Sequence, residues 1–343
     1  MSIDLTPQLN ANDWQMACRM TFGAFGAWAL ATMFGWPYAT YYAVYPLVLI
    51  GLAPSYDSHV ALQYLVSAPT GMAAAGIMIA IFSEHPMVMM VCYFGFMIIC
   101  FSLMAGPYKL FMYGAMSLCI CSALVHFGSY PETSWQDLFW NIGGAIFLSV
   151  VFYIISFALF PDVEPRVARI PPPRTPSQRR HLVLLCAFGA TGSFIFFQSV
   201  EMRDSLSAQM ATILVLLAMS HDAIWNSGRT RLYGSVTGSI QAVVAQLLIS
   251  GYSEYWPLTA CAFLFGLFWF SAQHTRDKSG SAEGFAAVTA LAILYGLLKP
   301  SDDIIGDSLY RGTSIVVSIS LMLVLISLVH YALNRFASTR WEV

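Results

Sequence analysis

Apolar residues run along this chain in blocks of about 16 to 25 positions, close to the length a bilayer-crossing helix requires, separated by short clusters of charge, proline and glycine. Reading each block between its breakers predicts helices over 16–36, 40–56, 60–82, 86–105, 109–128 and 137–160. A second series follows over 182–199, 205–220, 231–250, 257–273, 283–298 and 311–334. The second and eighth blocks are short. Pro46 and Pro54 also interrupt the second, which predicts a tilted or broken helix there. The stretch between the two series is of another kind: PDVEPRVARIPPPRTPSQRR (161–180) holds six prolines and five arginines and predicts an extended connector.

Composition sharpens this picture. Of 343 residues, 58% are hydrophobic and 10% charged, against roughly 25% charged in an ordinary soluble domain. The expected fold is an all-α integral membrane protein with about 12 transmembrane helices. It divides into a six-helix block (1–160), a linker (161–181) and a second six-helix block (182–343). Counting Lys and Arg on alternate sides places thirteen with the termini and linker, and three (Arg203, Lys299 and Arg311) opposite. By the positive-inside rule, both termini and the linker are expected on the cytoplasmic side, consistent with an inner-membrane location. No cleavable signal peptide is expected, since the first eighteen residues lack the Lys and Arg of a charged n-region. Seven of the nine tryptophans (Trp14, Trp36, Trp135, Trp140, Trp225, Trp256 and Trp341) fall at predicted span ends, as an interfacial belt would.

Several classes of chemistry are disfavoured. A net charge of −2 offers no basic face for nucleic acid. The seven cysteines show no zinc-site spacing and read as small buried apolar residues. No nucleotide-binding motif, HExxH, GxSxG or His-x4-Asp pattern occurs, so neither catalysis nor a cofactor or metal is expected.

The two series correspond. TFGAFGAW (21–28) aligns with AFGATGSF (187–194), SAPTGMAA (67–74) with RLYGSVTG (231–238), and DLFWNIGG (137–144) with DSLYRGTS (307–314). Six spans per block is an even number, so two parallel repeats are expected, with a solute pathway between them.

RLYGSVTG carries the most specific signal. Gly234 and Gly238 form a GxxxG face through which helix backbones approach closely. Arg231 falls at the predicted cytoplasmic end of its helix, where a snorkelling anchor is the plain alternative to a gate residue. Arg231, Gly234, Ser235 and Gly238 resemble the Arg-x-x-Gly-Thr-x-x-Gly motif of the fusaric acid resistance and aromatic acid exporter superfamily, with Ser in place of Thr. In the first half, Ser67, Thr70, Gly71 and Ala74 keep the small residues and lose the arginine. YYAVYPLVLIGLAP (41–54) is likewise similar to that group's second helix. The cytoplasmic domains usual in the group are missing, so the chain resembles a compact, membrane-only branch classed as a domain of unknown function. The resemblance implies proton-driven export of aromatic carboxylates or similar small organic anions, with a periplasmic membrane-fusion protein as partner. An oligomer is compatible with it.

Ionisable residues in a membrane protein are candidates by default. Arg19, Arg231, Asp307 and Arg311 are candidates for the substrate pathway or gate. Asp307 and Arg311 lie four apart on one helix face, where a local ion pair is the bland reading. For Arg19, one turn before Gly23, simple snorkelling is slightly favoured. Asp57, Asp137 and Asp222 are candidates for proton coupling. Asp57 and Asp222 have His59 and His221 nearby in short turns, and Asp137 doubles as a helix cap. His126 and His330 share no ligand spacing. Trp28 and Trp269 lie inside spans, where lipid contact is favoured over stacking on a solute. An organic-anion channel or a non-transporting scaffold subunit remain the alternatives to a secondary exporter.

Overall fold

A computed structural model describes residues 9–53, 55–106, 109–130, 134–164, 174–200, 206–249, 255–276, 283–296 and 304–341. Side chains 206–207, 304–309 and 311 lie outside that description. The described residues form twelve α-helices. In the first half they are α1 (Ala11–Met33), α2 (Ala39–Leu52), α3 (Ser58–Phe82), α4 (Pro86–Ala105), α5 (Phe111–Gly128) and α6 (Trp135–Leu159). In the second they are α7 (Pro176–Ser199), α8 (Leu206–Leu216), α9 (His221–Ile249), α10 (Trp256–Arg276), α11 (Glu283–Gly296) and α12 (Ile304–Leu333).

Eight of these helices (α3, α4, α5, α6, α7, α9, α10 and α12) are long and apolar enough to cross a membrane. Many of their exposed side chains are large and apolar, the reverse of a soluble protein. On α12, Val317, Leu321, Val324 and Leu328 recur at helical spacing and are all exposed. The protein is therefore an all-α, multi-spanning membrane fold, and lipid is the natural solvent of that stripe. α2 and α11 have fourteen residues each, about 21 Å of helix, which falls short of the hydrocarbon thickness of about 30 Å. Both are almost wholly buried.

The chain packs as two compact units, each drawing on both halves of the sequence. One comprises Met1–Ser58, Gly144–Ala168 and Thr230–Gly312; the other comprises His59–Gly143, Arg169–Arg229 and Thr313–Val343. In the first unit α1 packs on α2 and α10, and α11 on α2 and α10. In the second unit α7 packs on α8 and α4, and α5 on α8 and α4. Shifting each helix number by six turns one set of pairings into the other.

Glycines repeat the correspondence. Gly23 and Gly26 of α1 abut Ile50 of α2 and Phe152 of α6, while Gly189 and Gly192 of α7 abut Leu216 of α8 and Leu325 of α12. α1 and α7 also start alike. Asn10 and Asp13 form a capping box on α1, and Thr175 and Gln178 form one on α7, with Pro176 in the first helical position.

The expected boundaries need three corrections. α7 begins six residues before predicted span 182–199, inside the stretch assigned to the linker, because its capping box and Pro176 start a helix that the basic pair Arg179–Arg180 does not stop. α9 begins ten residues before 231, and α12 begins seven before 311, for the same reason: polar residues end an apolar run without ending a helix. Of the expected extended connector 161–180, residues 165–173 lie outside the described residues, as does Pro54.

Candidate functional site

The motif helix α9 uses its small residues for close approach. A Cβ on Gly234 would collide with the Glu283 carbonyl and Ala286 of α11, and one on Gly238 with the Ala287 backbone. In the other unit, α3 makes the matching approach to α5. Gly71 abuts the Ser117 carbonyl and Ile120, the Ser117 hydroxyl donates to the Ser67 carbonyl at 3.5 Å, and the Thr70 and Tyr113 hydroxyls meet at 2.9 Å. The aligned segments SAPTGMAA and RLYGSVTG thus lie on equivalent contacts, and Arg231 occupies the position held by Ser67.

Because α9 starts at His221, Arg231 is not at a helix end. It lies in the third turn and is 5% exposed, so the expected snorkelling anchor gives way to a buried cation. Its guanidinium carbon stands 5.5 Å from the centre of the Phe285 ring on α11, a cation–π distance. Phe285 also lies 5.2 Å from the His274 ring of α10 and against Gly51 of α2. His274 is hydrogen-bonded to the Gly51 backbone and interacts electrostatically with Arg231. Four helices therefore converge on one aromatic ring with a guanidinium above it. α2 and α11 run antiparallel here: Gly51 meets Phe285 at one end, and Thr40 meets Gly296 at the other. Tyr41, Tyr42 and Tyr45 of α2 are all buried.

Arg19 departs from its expectation as well. It is fully buried on α1, with Nε donating to the Phe160 carbonyl at 2.6 Å, Nη2 paired with Asp162 at 2.8 Å, and its guanidinium carbon 4.1 Å from the Phe157 ring centre. A buried charge held by a carboxylate, a carbonyl and a ring is a tether between α1 and the end of α6 rather than a snorkelling side chain.

The other candidates are scattered. Asp57 is exposed in the α2–α3 turn, where its N–H donates to the Tyr153 hydroxyl at 2.9 Å. Asp137 is exposed in the first turn of α6, and its carbonyl accepts from the Asn141 amide at 2.7 Å. Asp222 is exposed at the start of α9, 3.1 Å from His221 Nδ1. Asp307 and Arg311 belong to the helical backbone of α12, while their side chains lie outside the described residues. Trp28 is buried rather than lipid-facing, stacked on Trp256 at 6.0 Å and edge-on to Phe263 at 4.8 Å; Trp269 is exposed. The cysteines are not uniformly buried, since Cys261 is exposed and Cys18 and Cys92 are intermediate. Among the described residues no group of three His, Cys, Asp or Glu is placed to hold a metal.

Sequence reasoning passed over one cluster. His181 of α7 meets His330 of α12, with Nε2 to Nδ1 at 2.9 Å, and His221 of α9 stacks on His330 at 4.2 Å between ring centres. The two bonded rings are 149 positions apart. No local motif could signal them, although three histidines near predicted span ends on one side were available as a hint.

Residues 16–156 match the model of a family described as a protein of unknown function (DUF2955), which is loosely associated with fusaric-acid-resistance-like membrane proteins. No curated protein matches the chain. No solved structure matches it either. The match falls within the first of the two helix series, and the chain is a polytopic membrane protein similar over that span to this family.

Proposed function

We propose that this chain is a secondary transporter of a bacterial inner membrane that exports small aromatic carboxylic acids from the cytoplasm, driven by the proton gradient. The observation that carries the reading is the buried guanidinium of Arg231 over Phe285, at the junction of the short helices α2 and α11. A guanidinium presents a rigid fork of donors suited to a carboxylate, and the adjacent Phe285 ring suits an aromatic body. Short helices enclosed by protein are a common setting for transporter sites. The matched helix pairings and glycine contacts support two parallel six-helix repeats, and the excess of Lys and Arg on the side shared by the termini supports cytoplasmic termini. The protein performs no catalysis on its solute. A periplasmic membrane-fusion protein is the partner this reading calls for.

The test uses inside-out membrane vesicles containing the overproduced protein and a mixture of small carboxylates, read by mass spectrometry with and without a protonophore. Protonophore-sensitive accumulation of an aromatic acid supports coupled export. Equilibration without accumulation converts the reading to a channel, and no movement of any acid removes it in favour of a scaffold.

A further inference from the structure

The two ends of the sequence halves are fastened differently. In the first unit, Asn12 of α1 accepts from the backbone N–H groups of Val163 and Glu164 at 2.7 and 3.2 Å, and Arg19 holds Phe160 and Asp162. In the second unit, the first helix of the half again holds the segment after the last. Ser177 donates to the Arg340 carbonyl at 2.7 Å, and His181 Nδ1 lies 2.6 Å from the Thr339 carbonyl. Where the first clasp uses a guanidinium and a carboxylate, the second uses imidazoles.

Hydrogen-bond chemistry fixes the protonation of that second clasp. A carbonyl only accepts, so His181 Nδ1 carries a hydrogen. In the neutral ring Nε2 is then an acceptor, so His330 Nδ1 must donate to it. His330 Nε2 is left as an acceptor and takes the Asn334 amide at 3.0 Å. Asn334 cannot turn over, because its Oδ1 accepts the Trp341 N–H at 2.8 Å. With both rings neutral, every group in the chain from Asn334 through His330 and His181 to Thr339 is satisfied. An added proton on either ring sets two donors against each other, at His181–His330 or at His330–Asn334.

We propose that the His181–His330 pair is a proton-binding site whose occupancy unfastens the C-terminal segment Thr339–Trp341 from α7. The proton comes from the aqueous phase, adds to a ring nitrogen lone pair and breaks no covalent bond. It enters at His330 and its stacking partner His221, whose side chain is 28% exposed, while His181 is fully buried. The charged groups on the segments that build the pair are Arg179 and Arg180 beside His181 on α7, His221, Asp222 and Arg229 in the first turns of α9, Arg335 and Arg340 in the tail, and Arg174 ahead of α7, which interacts electrostatically with Cys186. α4, α5 and α8 carry no Asp, Glu, Lys or Arg, and their one histidine, His126, packs on Phe197 at the far end of α7. A second proton on His221 would add a like charge beside the first. The clasp is therefore closed at neutral and alkaline pH and open in acid.

This inference does not depend on the transport reading. It is tested by hydrogen–deuterium exchange of the full-length protein in lipid nanodiscs at about pH 8 and about pH 5.5, on either side of the ordinary imidazole value of about 6.5. Exchange of 334–341, corrected for its intrinsic pH dependence, is expected to rise roughly tenfold or more in acid, as loss of buried hydrogen bonds dictates. Asn334→Asp supplies an acceptor that a protonated His330 can use while keeping the Trp341 bond, so its tail is expected to stay protected at both pH values. A wild-type tail whose protection is independent of pH overturns the proposal. So does an Asn334→Asp tail that still opens in acid, or an equal acid-induced rise at 160–164, which would mark a global effect.

Discussion

The guanidinium of Arg19 meets the carboxylate of Asp162 at 2.8 Å across 143 positions of chain, with Arg19 fully buried and the Asp162 side chain 19% exposed. Removing the carboxylate strands a buried charge, whereas removing both partners leaves none. Asp162→Asn is expected to cost about 3 kcal/mol, seen as a lowered apparent melting temperature in detergent. The double variant Arg19→Met/Asp162→Asn is expected to recover part of that loss. Equal stability of Asp162→Asn and wild type would mean the pair does not fasten α1 to the end of α6.

Glycines on different helices are expected to respond oppositely to alanine. At Gly238 an added Cβ meets the backbone of Ala287, which cannot rotate away, while at Gly76 of α3 it meets nothing within 4 Å. Gly238→Ala should force α9 and α11 apart and lower both yield and apparent melting temperature. Gly76→Ala should be neutral or stabilising by up to about 1 kcal/mol, the helix-propensity difference.

The hydrogen-bond chain at His181 and His330 makes a spectroscopic prediction. Nitrogen-15 NMR of histidine-labelled protein at about pH 8, above the ordinary imidazole range, should show two neutral rings protonated at Nδ1. If both carry the hydrogen on Nε2 instead, the direction assigned to the chain is wrong.

Helix count and most boundaries were legible because an apolar run bounded by Pro or Gly is a direct record of burial in lipid. Pro86 starts α4 at the residue its position predicts. Legibility failed where a helix continued through polar residues. His221, Asp222, Arg229 and Arg231 end the apolar run of α9 without ending the helix, so Arg231, expected at a helix end, lies within the helix and is buried level with the ends of α2 and α10 and the start of α11. The GxxxG spacing of Gly234 and Gly238 could be seen in the sequence, but the helix facing it could not. Arg19 reads as a snorkelling side chain because its partners are far along the chain, Phe160 closing the predicted span 137–160 and Asp162 in the stretch expected as linker. The histidine chain was invisible for a similar reason, since it is assembled by packing from α7, α9, α12 and the tail.

The most direct measurement compares wild type, Arg231→Gln and Arg229→Gln in inside-out vesicles supplied with aromatic carboxylates under a proton gradient. Arg231 is buried against Phe285 while Arg229, two residues earlier, is exposed. Loss of a charge-assisted contact predicts a roughly ten- to hundredfold fall in accumulation for Arg231→Gln and near wild-type accumulation for Arg229→Gln. Undiminished, protonophore-sensitive accumulation by a well-folded Arg231→Gln protein would contradict the assignment of this guanidinium to the solute.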